Sequence, residues 1–274
     1  MLGRDHALLG AFAYLAGAPV VTHAAHLSPQ SPIELAVGSA VCAGFALLPD
    51  IDEPGSTISR KLGPISRGFS KVTNELAGGH RMATHSLLFV AGTWFAAHYA
   101  LRSHWAVGIL VLCALALSLR MILPLGTGRA GLLPLALTGG PTYWVVHSQD
   151  VGGWLPWACA AGVLLHLIGD ALTVEGVPFF WVPLVHPLQR IRLALPLLGH
   201  TSSVRESIVG SLLGLAIIWF AIVNVVVPEG KLAPTQAHHL NVPAVHLPSV
   251  HVPPVHVPGG GAVSAVVNKV KGLG

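Results

Sequence analysis

The chain has 274 residues, of which 53% are hydrophobic and 9% charged, against about 25% charged in an ordinary soluble domain. With a mean hydropathy of +0.68, this composition excludes disorder, a coiled coil and a conventional soluble enzyme, and it points to an all-α, polytopic integral membrane protein. The net charge, 15 basic minus 11 acidic residues, is +4. That is too small and too dispersed for a nucleic-acid footprint, so no nucleic-acid partner is expected and the basic residues should report topology.

A bilayer core takes about 20 apolar residues per helix. Seven stretches qualify: Ala7–Val21, Ile33–Leu48, Thr84–Leu101, Trp105–Leu123, Gly131–Val146, Trp154–Leu172 and Ser207–Val227. The first is short, which suggests tilt or partial insertion, and it reads as retained rather than as a cleaved signal peptide. The fifth contains Gly139-Gly140-Pro141, a sequence that should break or kink it. The count is therefore about seven, or six if that span fails. Cys42, Cys113 and Cys159 are odd in number, far apart and set in apolar sequence, so they read as small buried side chains.

Charge asymmetry orients these spans. With the N-terminus cytoplasmic, Arg4, Arg60, Lys61, Arg67, Lys71, Arg81, Arg120, Arg129, Arg190, Arg192 and Arg205 lie inside. Arg102, Lys231, Lys269 and Lys271 lie outside. The positive-inside rule favours this arrangement, and an odd span count then puts the C-terminus outside. Residues 1–227 form the membrane domain, and 228–274 form a separate tail rich in Pro, His and Gly. In that tail His246, His251 and His256 recur every five residues. Polyproline II has three residues per turn, so the histidines scatter around its axis, and the tail reads as a semi-rigid linker rather than a metal site.

Ionisable groups in so apolar a chain are functional candidates, and the topology delivers several to the cytoplasmic face. His6 opens the first span. Asp50 and Asp52 follow the second, between Pro49 and Pro54, and Asp-x-Asp on a stiff turn offers hard oxygen ligands to one or two divalent ions. The other reading of that turn is a solvated acidic cap. His80, Arg81 and His85 mark the passage from a loop into the third span; imidazoles suit first-row metals, and the guanidinium suits an anionic group. His166 and Asp170 are i and i+4, on one helix face, as two ligands or as a ligand and its orienting carboxylate. Glu206 opens the seventh span, as a base, a ligand or a helix-dipole acid. His23, His26, His98, His104 and His147 fall on the outer face and read as interfacial residues, while His186 and His200 lie in an inner loop.

Together these pieces resemble the YdjM-like family of bacterial inner-membrane metal-dependent hydrolases. The likeness is carried by His6, Leu48-Pro49-Asp50-Ile51-Asp52, His80-Arg81, Thr84-His85-Ser86, His166-Leu167, Asp170, Thr173, the run from Gly176 to Pro183, and Glu206, and it covers residues 1–227. Met82 departs from the pattern, in which a small residue, usually Gly, follows His-Arg. The resemblance implies a helical fold in the bacterial cytoplasmic membrane and metal-assisted hydrolysis. On that reading His6, Asp50, Asp52, His80, His85, His166 and Asp170 hold one or two divalent ions, with zinc first and manganese, iron or magnesium as alternatives. Glu206, or an Asp that is not a ligand, takes a proton, and Arg81 stabilises developing negative charge. The location suggests membrane lipids as neighbours and a lipid-like ester or phosphoester as substrate. A transporter or metal-ion carrier is the rival from another class, although transport sites favour the bilayer midplane. A non-catalytic scaffold locked by His–Asp pairs is the third reading.

Overall fold

The computed structural model describes residues 1–222 apart from 27, 57, 60–63, 123–132, 149, 179–191 and 202. The tail with its boundary at 227, His186, and Arg60, Lys61, Arg129 and Arg190 lie outside the described residues. The elements in chain order are α1 (Gly3–Ala24), α2 (Pro32–Phe45), a 3-10 turn (Pro49–Asp52), α3 (Pro64–Ala77), a second 3-10 turn (Ala83–His85), α4 (Leu87–Ala100), α5 (His104–Ile122), α6 (Leu133–His147), α7 (Val151–Ala171) and α8 (Val204–Ala221). Among the described residues, β-structure is limited to isolated bridges, Thr173 with Gly199 and Val177 with Leu193.

The sequence explains where these helices begin. Ser31 caps α2 by a reciprocal pair with Glu34, followed by Pro32 at the first helical position. Ser86 and Ser203 cap α4 and α8 by accepting from the main-chain N–H groups of Phe89 and Glu206. Among the described residues, four helical stretches are long and apolar enough to cross a membrane: Gly3–Ala24, Pro32–Asp52, His104–Met121 and Val151–Ala171. The first helix has 22 residues, about 33 Å at 1.5 Å per residue. It is longer than the Ala7–Val21 stretch because polar residues at both ends continue the helix. The α6 helix runs unbroken through Gly139-Gly140-Pro141, contrary to expectation. One lost N–H is tolerable in a helix whose other backbone groups remain paired. α3 was not expected at all.

Lipid supplies no hydrophobic drive for helix packing, so close approach of small residues does the work. α2 and α7 are the inner pair; α1 packs on both, α4 on α7, α5 on α2, and α8 on α1. A Cβ at Gly10 would stand 3.0 Å from Ala46 Cβ, and one at Gly162 would stand 2.9 Å from Ala46 N and would strike the Cys42 carbonyl. α1 and α7 therefore both press on α2 around Ala46. Tyr14, Val41, Val111, Val145 and Leu155 fill the core on the other side. Cys42 and Cys159 are buried as expected, whereas Cys113 faces outward from α5.

Candidate metal centre

The antiparallel order of the helices brings one end of each to the same place. His6 lies in the first turn of α1, Asp50 and Asp52 in the turn after α2, and His85 just before α4. His166 and Asp170 lie in the last turns of α7. His6, Asp52, His85, His166 and Asp170 are buried. Their ligand atoms fall into three overlapping groups, each within 4.8 Å: His6, His166 and Asp170; Asp50, His85 and His166; and Asp52, His80 and His85.

Hydrogen bonds fix the ring orientations at the middle of this chain of groups. His166 Nδ1 is 2.7 Å from the Ala46 carbonyl oxygen. A carbonyl only accepts, so Nδ1 carries the proton and Nε2 presents a lone pair. Thr84 Oγ1 donates to Asp52 Oδ2. Its one proton is thereby used, and its 3.0 Å contact with His85 Nδ1 is a bond that the ring donates. His85 Nε2 is then a lone pair as well. The two Nε2 atoms face each other at 3.1 Å. Asp50 Oδ1 lies 3.9 and 3.7 Å from them, and Asp170 Oδ2 lies 3.7 Å from both. Two lone pairs at this separation repel unless positive charge lies between them. The two imidazoles share one group of ligand atoms with Asp50, and His166 shares another with Asp170; imidazole and carboxylate together are donor types that could hold a divalent cation such as zinc.

Around this centre the remaining residues sort by distance. His6 stacks on His166 with ring centroids 3.7 Å apart, and its Nε2 is 3.2 Å from Asp170 Oδ1. A Cβ at Gly169 would stand 3.1 Å from His6 Nδ1, so glycine there lets α1 close on α7. The Met1 nitrogen is 2.6 Å from Asp170 Oδ1. Asp52 is fully buried behind His85, where it meets His80 Nδ1 at 2.7 Å and the Arg81 N–H at 3.2 Å. Burial of the His80 ring opposes its charge, but the bond to Asp52 and the nearby charge of Asp50 prevail and raise its pKa. Arg81 sits at φ 61°, a left-handed conformation that a side chain adopts at a cost. In return its guanidinium reaches Asp170 Oδ2 at 3.0 Å and Glu175 Oε2 at 3.5 Å. Met82, which stands where a small residue is expected, has φ −114°, outside the left-handed region that favours glycine.

The centre opens at Asp50 onto a cleft of about 630 Å³ lined by Ser56, His80, Arg81, Glu175, Arg192 and Thr201, among others. Glu206 does not line it. That residue is fully buried, where it accepts from Leu2 N–H and shares a hydrogen bond with Asp5, so it anchors the start of α1 to α8. No role at the site was anticipated for Asp5, Glu175 or Arg192, nor for Thr84 beyond its place in the motif. A carboxylate beside His6 inside an apolar helix was signal enough for Asp5. The other three are ordinary polar residues whose importance is positional. His98, His104 and His147 make local contacts at the opposite helix ends, with Trp94, the Val146 carbonyl and the Tyr143 carbonyl. His23 and His26 line a second cleft there, of about 470 Å³. His200 is exposed, 4.0 Å from Glu175.

Fold and site define a polytopic α-helical membrane protein with a buried His/Asp cluster at one end of its helices. The family model described as YdjM inner membrane protein matches residues 1–231, and the chain belongs to that family. No curated protein and no solved structure matches the chain.

Proposed function

We propose that the protein is a membrane-bound metal-dependent hydrolase whose ion is held by Asp50, His85, His166 and Asp170. The observation that carries this reading is the approach of the His85 and His166 Nε2 atoms to 3.1 Å, with Asp50 and Asp170 oxygens 3.7 Å from His166 Nε2. His6 extends the donor set toward a second ion. Asp52 acts with Thr84 to orient His85, and His80 backs Asp52 from the other side. An ion so held would supply Lewis acidity for the hydrolysis of an ester or phosphoester.

Asp50 is the one centre carboxylate that is partly exposed to the cleft, so its carboxylate oxygen that does not face His85 and His166 would be the group to accept a proton from water. Arg81 and Arg192 line the same cleft and bind the anionic part of the substrate. Glu206 holds the fold rather than the reacting groups. We place the N-terminus and the centre on the cytoplasmic side, with seven spans and the tail outside. A substrate at this depth is a lipid-like ester or phosphoester. Position at the helix ends, away from the midplane favoured by transport sites, supports hydrolysis over a carrier.

The test is elemental analysis of untagged, detergent-purified protein beside an Asp50→Ala, His166→Ala double variant. About one or two equivalents of divalent metal present in the parent and missing from the variant is the expected result. Equal trace metal in both, after zinc, manganese, iron and magnesium are added back, overturns the reading. Asp50→Ala and His85→Ala proteins that fold should also lose turnover of lipid phosphoesters.

A further inference from the structure

α3 presents its sides in an order opposite to that of a soluble helix. Ser66, Ser70 and Ala77 are buried against the protein. Phe69, Val72 and Leu76 are 59%, 54% and 81% exposed. At 3.6 residues per turn these three fall within an arc of about 60°. Arg67 and Lys71 are exposed and one turn apart, on the opposite edge of the buried side. The helix thus has an inward polar face, an outward apolar stripe and a basic edge.

Its level is set by its contacts. Asn74 Nδ2 donates to the Asp52 main-chain oxygen at 2.6 Å, and Asp52 is the last residue of the apolar stretch Pro32–Asp52. Ser70 Oγ is 2.9 Å from Ser59 Oγ, whose hydroxyl donates to the Glu53 carbonyl at 2.7 Å. α3 is therefore bonded to the terminus of a membrane helix, where hydrocarbon gives way to headgroups. Within Pro64–Ala77 the charged residues are Arg67 and Lys71 against Glu75 alone, a basic excess that complements an anionic headgroup layer.

We propose that α3 lies in the lipid interface, with Phe69, Val72 and Leu76 seated in the acyl boundary and Arg67 and Lys71 among anionic headgroups. Through Asn74 and Ser70 it fixes the loop of Asp50 and Asp52 at headgroup depth. The inference is independent of the hydrolase reading. It is tested on the full chain in proteoliposomes, with Cys42, Cys113 and Cys159 replaced and single nitroxide-labelled cysteines at 67, 69, 71, 72 and 76. Thermal unfolding like that of the parent certifies each variant as folded.

Collisions with oxygen should exceed those with a water-soluble nickel chelate at 69, 72 and 76, and the order should reverse at 67 and 71. Adding about 30% phosphatidylglycerol to phosphatidylcholine vesicles should raise the oxygen-to-chelate ratio at 69 about twofold, an effect expected to be lost in an Arg67→Gln, Lys71→Gln background. Chelate access at 69, 72 and 76 equal to that at 67 and 71 overturns the proposal. So does protection of those three from both reagents, which would mean a protein partner or a second copy. Indifference to lipid charge overturns the headgroup contact.

Discussion

Thr84→Val probes the centre without touching a ligand. The hydroxyl accepts from His85 Nδ1–H at 3.0 Å and donates to Asp52. Valine keeps the shape and removes both bonds. A hydrogen bond to a charged group contributes about 1.5–3 kcal/mol, and a neutral one about 1 kcal/mol. Part is regained, because His85 Nδ1 is already 3.4 Å from Asp52 Oδ2 and can close to a direct bond. The net loss of stability in the metal-free protein should be about 1–2 kcal/mol. That closure swings Nε2 away from His166. Loss of an orienting partner typically lowers metal affinity 10–100-fold, and the rescue by Asp52 puts the expected figure near tenfold, or about 1.4 kcal/mol. Zinc competition with a chromophoric chelator measures the affinity, and thermal unfolding in detergent measures the stability. Thr84→Ser should behave like the parent on both. A Thr84→Val protein that is less stable but binds zinc within twofold of the parent would refute the assignment of His85 Nε2 as a ligand atom.

Three further outcomes follow from the same geometry. Chelation should lower the thermal midpoint of the parent and zinc should restore it, whereas His85→Ala and His166→Ala proteins should show no metal-dependent shift; an unchanged parent midpoint would mean that a shared proton, not a cation, lies between the rings. Gly162→Ala should cost about 1–3 kcal/mol by forcing α7 from α2, and it should weaken zinc binding by pulling the Ala46 carbonyl from His166, one turn along; normal affinity would separate helix spacing from ring orientation. In chelated protein, the raised pKa of His80 makes its pairing with Asp52 stabilising: the contribution is full below about pH 6.5, the unfolded value, and is lost as pH rises through the folded value, so His80→Gln should flatten that limb of the stability–pH curve. A limb of the same slope in the variant would assign the titration to another group.

What could be read from the sequence was whatever a single helix decides by itself. His166 and Asp170 share a face because i and i+4 must do so in any α-helix, and both reach the centre. Charge asymmetry and span spacing grouped His6, Asp50, His85 and His166 at one end before any side chain was placed. The Asp-x-Asp pair shows where such reading stops. Treated as two equivalent ligands, Asp50 and Asp52 part company because the turn that holds them is a 3-10 helix. At three residues per turn, i and i+2 point about 120° apart. Asp50 therefore looks toward His85 Nε2 and the cleft, and Asp52 looks back toward His80 and Thr84. Glu206 was equally open between a base or ligand and a helix-dipole acid, and its bonds to Leu2 and Asp5 show a further role, anchoring the start of α1 to α8, that no local pattern carries.

α3 was missed for a different reason. Phe69, Val72 and Leu76 recur at i, i+3 and i+7, the period of an amphipathic helix. A search for spans passes over it, because 14 residues with mixed polarity cannot cross a bilayer. The same search rewards uniform apolarity, so it finds the helices that build the scaffold and overlooks the one that sets the depth of the Asp50–Asp52 loop. Depth matters to the chemistry. With the centre's opening at Asp50 and the basic side chains Arg81 and Arg192 in one cleft, a helix that holds this loop at headgroup level would select anionic groups carried on lipids over the same groups free in the cytosol. Phe69→Glu together with Leu76→Glu should therefore reduce turnover of a membrane-borne phosphoester while leaving a short-chain, water-soluble analogue turned over at the parent rate. Equal loss on both substrates would instead assign α3 a purely structural role in holding Asp52.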